Sequence, residues 1–72
     1  MRFVIIRRTK RRFGKSVVYT ECKLSPDGVF DMHSINAVTF PNMKEAEFVA
    51  SRFPMYDDVE YVVRPYEHPE VD

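Results

Sequence analysis

The groups capable of chemistry in this chain are concentrated in one short run. Arg7, Arg8, Lys10, Arg11, Arg12, Phe13 and Lys15 place six cations and one aromatic ring within nine residues. Cations so placed contact phosphates, with a strength that falls steeply as salt rises. Phe13 offers a face on which an unpaired base can stack. The same residues suit an acidic protein surface, and the plainest alternative is a solvated turn. Residues 1–23 hold eight cationic side chains against Glu21, net +7, and residues 24–72 hold three against ten acidic ones, net −7. Charge separation of this kind speaks to partners and not to fold. The acidic remainder repels a long polyanion beyond the basic run, so protein contact is favoured over nucleic acid.

The other candidates are weaker. Phe48 lies between Lys44 and Arg52 and falls opposite the apolar stripe of its helix. It is either an interface aromatic or a residue wrapped by a strand end. Asp57, Asp58 and Glu60 make an acidic loop without the ligand spacing of a calcium loop. Cys22, His33 and His68 match no zinc pattern, and Cys22 reads as a small buried hydrophobe. Two glycines cannot form a phosphate-cradling loop, and no nucleophile–base arrangement is legible. Neither a cofactor nor a metal site is expected, and enzyme is the least favoured class.

The scaffold that must position these residues is small. The 72-residue chain reads as one domain over residues 1–66, followed by an acidic tail at 67–72. A chain of this length buries only about 60% of its unfolded surface. No apolar run approaches the roughly 20 residues of a membrane span, and Met1–Arg8 has too short an apolar centre for a secretory signal. One cysteine excludes an internal disulfide. These features point to a cytoplasmic protein.

Arg2–Thr9 reads as a strand with apolar residues on both faces, hence central. Lys10–Lys15 reads as a charged connection turning at Gly14. Ser16–Leu24 is a second strand, with Val18, Cys22 and Leu24 on one face and Val17 and Tyr19 on the other. Ser25-Pro26-Asp27-Gly28 is a turn with proline pre-set at its second position. A third strand is expected within Val29–Phe40, with a bulge or break at Ser34–Asn36. Asn42 caps a helix reaching Phe53, with Glu45 placed for a capping box. Met43, Ala46, Val49, Ala50 and Phe53 form its inner stripe. Val59–Arg64 is the last strand, with Val59, Tyr61 and Val63 inward and Pro65 confining it to an edge.

This order, β-β-β-α-β, predicts an α+β fold. The expected sheet is four-stranded, mixed but mostly antiparallel, in the order 3-2-1-4, with the helix packed on one face. A right-handed crossover through the helix would set the fourth strand parallel to the first. The uncovered face keeps apolar residues: one set of Val4/Ile6 or Phe3/Ile5, one of Val17/Tyr19 or Val18/Cys22, and Val62 with Tyr66. Such a patch marks an interaction site or a homodimer made by stacking two sheets, unless Arg and Lys stems shield it.

From Val38 onward the layout resembles the small RNA polymerase inhibitors of T-odd coliphages. The shared features are a strand (Val38–Phe40), a capped helix with an internal Glu-Ala pair (Asn42, Glu45-Ala46), an acidic turn (Asp57–Asp58) and a strand closing in Arg-Pro (Glu60–Pro65). The resemblance implies a protein that works by binding a host factor, with Arg64 in the position of a polymerase-contacting arginine. A second functional arginine of that family is Val62 here. The reading is a non-enzymatic protein-binding module, a phage-type inhibitor that binds a host nucleic-acid-processing enzyme. Its contacts come from the basic hairpin, Phe48, Arg64 and Tyr66. The alternative is a nucleic-acid-binding domain using the same hairpin.

Overall fold

The first strand, β1 (Phe3–Phe13), carries the rest of the chain. The computed structural model describes residues 1–32 and 37–66, so the expected break at Ser34–Asn36 and the acidic tail at 67–72 lie outside the described residues. β1 runs four residues past the expected end at Thr9 and takes the basic run into the sheet. Lys10, Arg11 and Arg12 pair with Tyr19, Val18 and Val17 of β2 (Ser16–Leu24), which leaves Gly14 and Lys15 as the whole turn. The connection expected at Lys10–Lys15 is thus mostly strand. Charged residues stay extended there because both faces of the distal hairpin are wet, so no side chain has to be buried. Gly14 takes φ 60, a conformation that a Cβ disfavours.

The Ser25–Gly28 turn closes with the Gly28 N–H donating to the Ser25 carbonyl at 2.9 Å. It leads into a two-residue strand, β3 (Phe30–Asp31), paired with Lys23 and Leu24. Val38 and Phe40 are not part of that strand. Phe40 exchanges both main-chain hydrogen bonds with Phe3, at 2.8 and 2.9 Å, and the Val38 N–H donates to the Leu24 carbonyl. These residues fill the slot beside β1 that β2 vacates where it turns at Ser25.

Helix α1 (Met43–Ala50) starts at Asn42, whose side chain accepts from the Glu45 N–H at 2.9 Å. Past Ser51, two tighter turns carry the chain to Phe53 through i→i−3 bonds from Arg52 and Phe53. Strand β4 (Val59–Pro65) then lies against β1, giving the order β3-β2-β1-β4. The sheet order is the expected one, but β4 is antiparallel to β1, with Thr9 opposite Val59 and Phe3 opposite Pro65. The expected parallel pairing fails because the helix is not the return crossover. The extended segment ending at Phe40 already brings the chain back to the start of β1. The helix therefore runs alongside β1 and β4 descends.

The core is small. Ile5 and Ala46 are fully buried and Leu24 nearly so. Phe3, Phe30, Val38, Phe40, Val49, Ala50, Phe53 and Val63 pack around them. Phe30, Phe53 and Tyr61 form a three-ring cluster with centroids 5.1 to 5.7 Å apart. Among the described residues, no helix is long and apolar enough to cross a membrane.

Candidate protein-interaction surface

The β1–β2 register divides the basic run between two faces. Arg7, Arg11 and Phe13 share the helix-covered face with Ile5; Arg8, Lys10 and Arg12 share the open face with Val4 and Ile6. Position along the strand then separates the roles. Arg7 lies over the Phe30 ring, 4.9 Å from its centroid. Its Nε is buried without a hydrogen-bond acceptor among the described residues. It closes the end of the aromatic cluster and does not belong to the hairpin tip.

On the open face, the apolar floor is covered without a helix. Val4 is 2% exposed and Ile6 6%. Arg64 on β4 stands opposite Val4, and Glu21 on β2 stands opposite Arg8. The two side chains meet diagonally across β1 through two parallel bonds, Nη1 to Oε1 at 2.9 Å and Nη2 to Oε2 at 2.8 Å. Arg8 joins from the other side. Its Nη1 donates to Glu60 at 2.9 Å, and its Nε lies 3.0 Å from Glu21. That Nε–H does not point along a hydrogen bond, so the contact is an ion pair only. Arg8 also sits over Tyr19, 4.4 Å from the ring centroid. Hydrogen bonding from Arg64 is the main cause holding the Glu21 carboxyl below its ordinary pKa. The Coulombic pull of Arg64 and Arg8 adds to it, and desolvation opposes it. The same bond from Glu21 raises Arg64.

The centre of the open face is therefore not an exposed apolar patch. Arg64 is engaged within the molecule. Tyr66 is half-buried beside it, and both line a shallow groove with Val4, Ile6 and Lys23. Lys10 is half-buried, and with Arg8 and Tyr19 it lines a recess whose other wall is Asp57, Asp58 and Glu60. Part of the basic end thus meets the molecule's own acidic end.

The free cations lie further out. Arg11, Arg12 and Lys15 are exposed and form no ion pair among the described residues. Phe13 is 63% exposed. Val17, Val18 and Tyr19 continue this surface along β2, each about half exposed. Sequence reasoning placed either Val17 with Tyr19 or Val18 with Cys22 on the uncovered sheet face, and did not foresee that all three of Val17, Val18 and Tyr19 are exposed. The available signal was the absence of any further apolar element to cover them. Phe48 stands on the outer side of α1 at 63% exposure, with Arg52 5.5 Å from its ring centroid. It is not wrapped by any described strand.

A depression of about 470 Å3 forms an open groove along the outer edge of β4, lined by residues that include Glu47, Ser51 and Tyr61. Both hydroxyls there are committed to the main chain: Ser51 donates to the Phe48 carbonyl at 2.7 Å and Tyr61 to the Pro54 carbonyl at 3.0 Å. Among the described residues, no group of three or more His, Cys, Asp or Glu side chains is placed to hold a metal ion. No protein-family model, curated protein or solved structure matches the chain.

Proposed function

We propose that this is a small, cytoplasmic, non-enzymatic protein-binding module that docks through the distal half of its β1–β2 hairpin. The observation that carries the reading is a division of labour within the basic run. Arg7, Arg8 and Lys10 are held by the molecule's own aromatic and acidic groups. Arg11, Arg12, Phe13 and Lys15 stand clear of the core. A protruding aromatic ring flanked by arginines is the composition of an interface centre. An acidic partner surface fits it. The resemblance over residues 38–66 suggests the partner class, a host enzyme acting on nucleic acid.

The test is inhibition of transcription by purified bacterial RNA polymerase, together with affinity capture by the immobilised chain. The double variant Arg11→Glu/Arg12→Glu is expected to lose capture while melting at the wild-type temperature. Undiminished capture removes the hairpin from the reading. A second reading, nucleic-acid binding, is favoured by cations on both faces of the tip, Arg12 on one and Arg11 on the other. It requires a gel shift at low salt that disappears as salt rises. No shift with single- or double-stranded DNA or RNA removes it.

A further inference from the structure

Among the described residues, the outer edge of β2 is open for most of its length. β3 covers only Lys23 and Leu24, so among the described residues nothing pairs with Ser16–Cys22 from outside. Main-chain directions along this edge follow from the hydrogen bonds of β1. Lys10 donates to Asp58 and Arg2 accepts from Tyr66, both on the β4 side, whereas Phe3 bonds Phe40 on the β2 side. Alternation then directs the odd residues of β1 toward β2. Their register partners Ser16, Val18, Thr20 and Cys22 bond back. Val17, Tyr19 and Glu21 consequently aim their N–H and C=O groups away from the sheet.

Edges of this kind are usually blunted by proline, an inward charge, a bulge or a covering element. β4 has Pro65 at its end. Residues 16–20 of β2, Ser-Val-Val-Tyr-Thr, have none of these devices; they are β-branched or aromatic apart from the serine. An edge of this kind is a template on which another strand can pair.

We infer that the strand is β2 of a second copy, paired antiparallel about a twofold axis at Val18. In that register Val18 faces Val18 of the partner subunit, Val17 faces the partner's Tyr19, Ser16 faces the partner's Thr20, and Lys15 faces the partner's Glu21. Every pair matches in size, polarity or charge. The outward groups of Val17 and Tyr19 meet each other, which supplies four new main-chain hydrogen bonds about the axis. A shift of the axis to Tyr19 sets Val17 against Glu21 and Lys15 against Lys23. A shift to Thr20 drives Val17 into Lys23, whose edge β3 already occupies. Pairing in odd register puts apolar residues on opposite faces and mismatches the main-chain groups. The end of β3 and the charges at Lys15 and Glu21 thus select one register. The product is a continuous eight-stranded sheet with its two basic tips at opposite sides of the axis. It does not depend on what the tips bind.

Sedimentation of the full chain over a concentration series, with cysteine cross-linking, tests the register. In a Cys22→Ala background, Val18→Cys is expected to form a disulfide-linked dimer under mild oxidation, because non-hydrogen-bonded antiparallel positions bring Cα atoms to about 4.5 Å. Ser16→Cys and Thr20→Cys should form no disulfide-linked dimer alone and should cross-link when mixed. Val18→Lys, at a half-exposed position, should keep the fold by circular dichroism. It should raise the dimerisation midpoint about tenfold or more, because like charges then face each other across the axis. A wild-type monomer at millimolar concentration overturns the inference. So does Ser16→Cys or Thr20→Cys cross-linking alone as readily as Val18→Cys.

Discussion

Replacing Glu21 with Gln keeps the size and planarity of the side chain and removes its charge. In the native protein that charge accepts two bonds from Arg64 and faces Arg8 at 3.0 Å. A single exposed ion pair contributes about 0.2–1 kcal/mol after solvent screening. Two-bond arginine–carboxylate geometry and a second arginine place Glu21 at the top of that range, at about 1 kcal/mol. In a domain this small, that lowers the melting temperature by roughly 4–8 °C. The pH dependence separates this network from a simple packing defect. Because the folded-state pKa of Glu21 is depressed, its contribution is full above the ordinary carboxylate value of about 4.3. It fades as pH falls through the lower, folded-state value. The gap between wild type and Glu21→Gln should therefore be open at pH 7 and closed in strong acid. At 1 M salt, where the screening length is about 3 Å, it should shrink by half or more. Thermal melts followed by circular dichroism at two pH values and two salt concentrations measure all of this. A gap that persists unchanged into strong acid, or no gap at pH 7, refutes the electrostatic account of the open face.

Two further outcomes follow from the core and the helix start. Ile5→Ala empties a fully buried site between Ala46 and Leu24 and should cost about 2–4 kcal/mol. Total stability for a chain of this size is only about 4–11 kcal/mol, so urea titration should show a midpoint lowered by roughly a fifth or more. Asn42→Ala removes the acceptor for the Glu45 N–H and should cost about 1 kcal/mol, whereas Asn42→Asp or Asn42→Ser should restore most of it in the same titration.

Local signals were legible in the sequence and spatial ones were only partly so. Asn42 as helix cap, the Pro26–Gly28 turn, the inner stripe of Ala46, Val49, Ala50 and Phe53, and the central place of β1 all follow from neighbouring residues; Met43, expected in that stripe, is exposed at the first turn of the helix. The direction of β4 does not. It depends on whether Val38–Phe40 extends the third strand or returns the chain, and both readings satisfy the same parity. The site divides in the same way. A run of arginines announces positive charge, but register decides that Arg8 meets Glu21 and Glu60 while Arg11 and Arg12 meet nothing described. Arg64 in front of Pro65 resembles a contact residue in sequence. Its bond to Glu21 joins residues 43 positions apart, a pairing that no short window contains. Val17, Val18 and Tyr19 were recognised as strand residues. Their exposure rests on the shortness of β3, which the sequence does not set: the third strand is expected anywhere within Val29–Phe40.

The central position of β1 also sets an order of events during synthesis. Its pairing with β2 closes through a two-residue turn and can form within microseconds. Its other edge waits for β4, whose partners lie 50 to 62 residues further along the chain. At about 5–20 residues per second, Val59 leaves the ribosome's active site roughly 2–9 s after Phe13. For that interval the strand that carries Val4, Ile5 and Ile6, all buried in the folded chain, has one side satisfied and one side bare. A ribosome-bound chain halted before Val59 would present that bare side to chaperones, and completion of the last strand is the event that closes it.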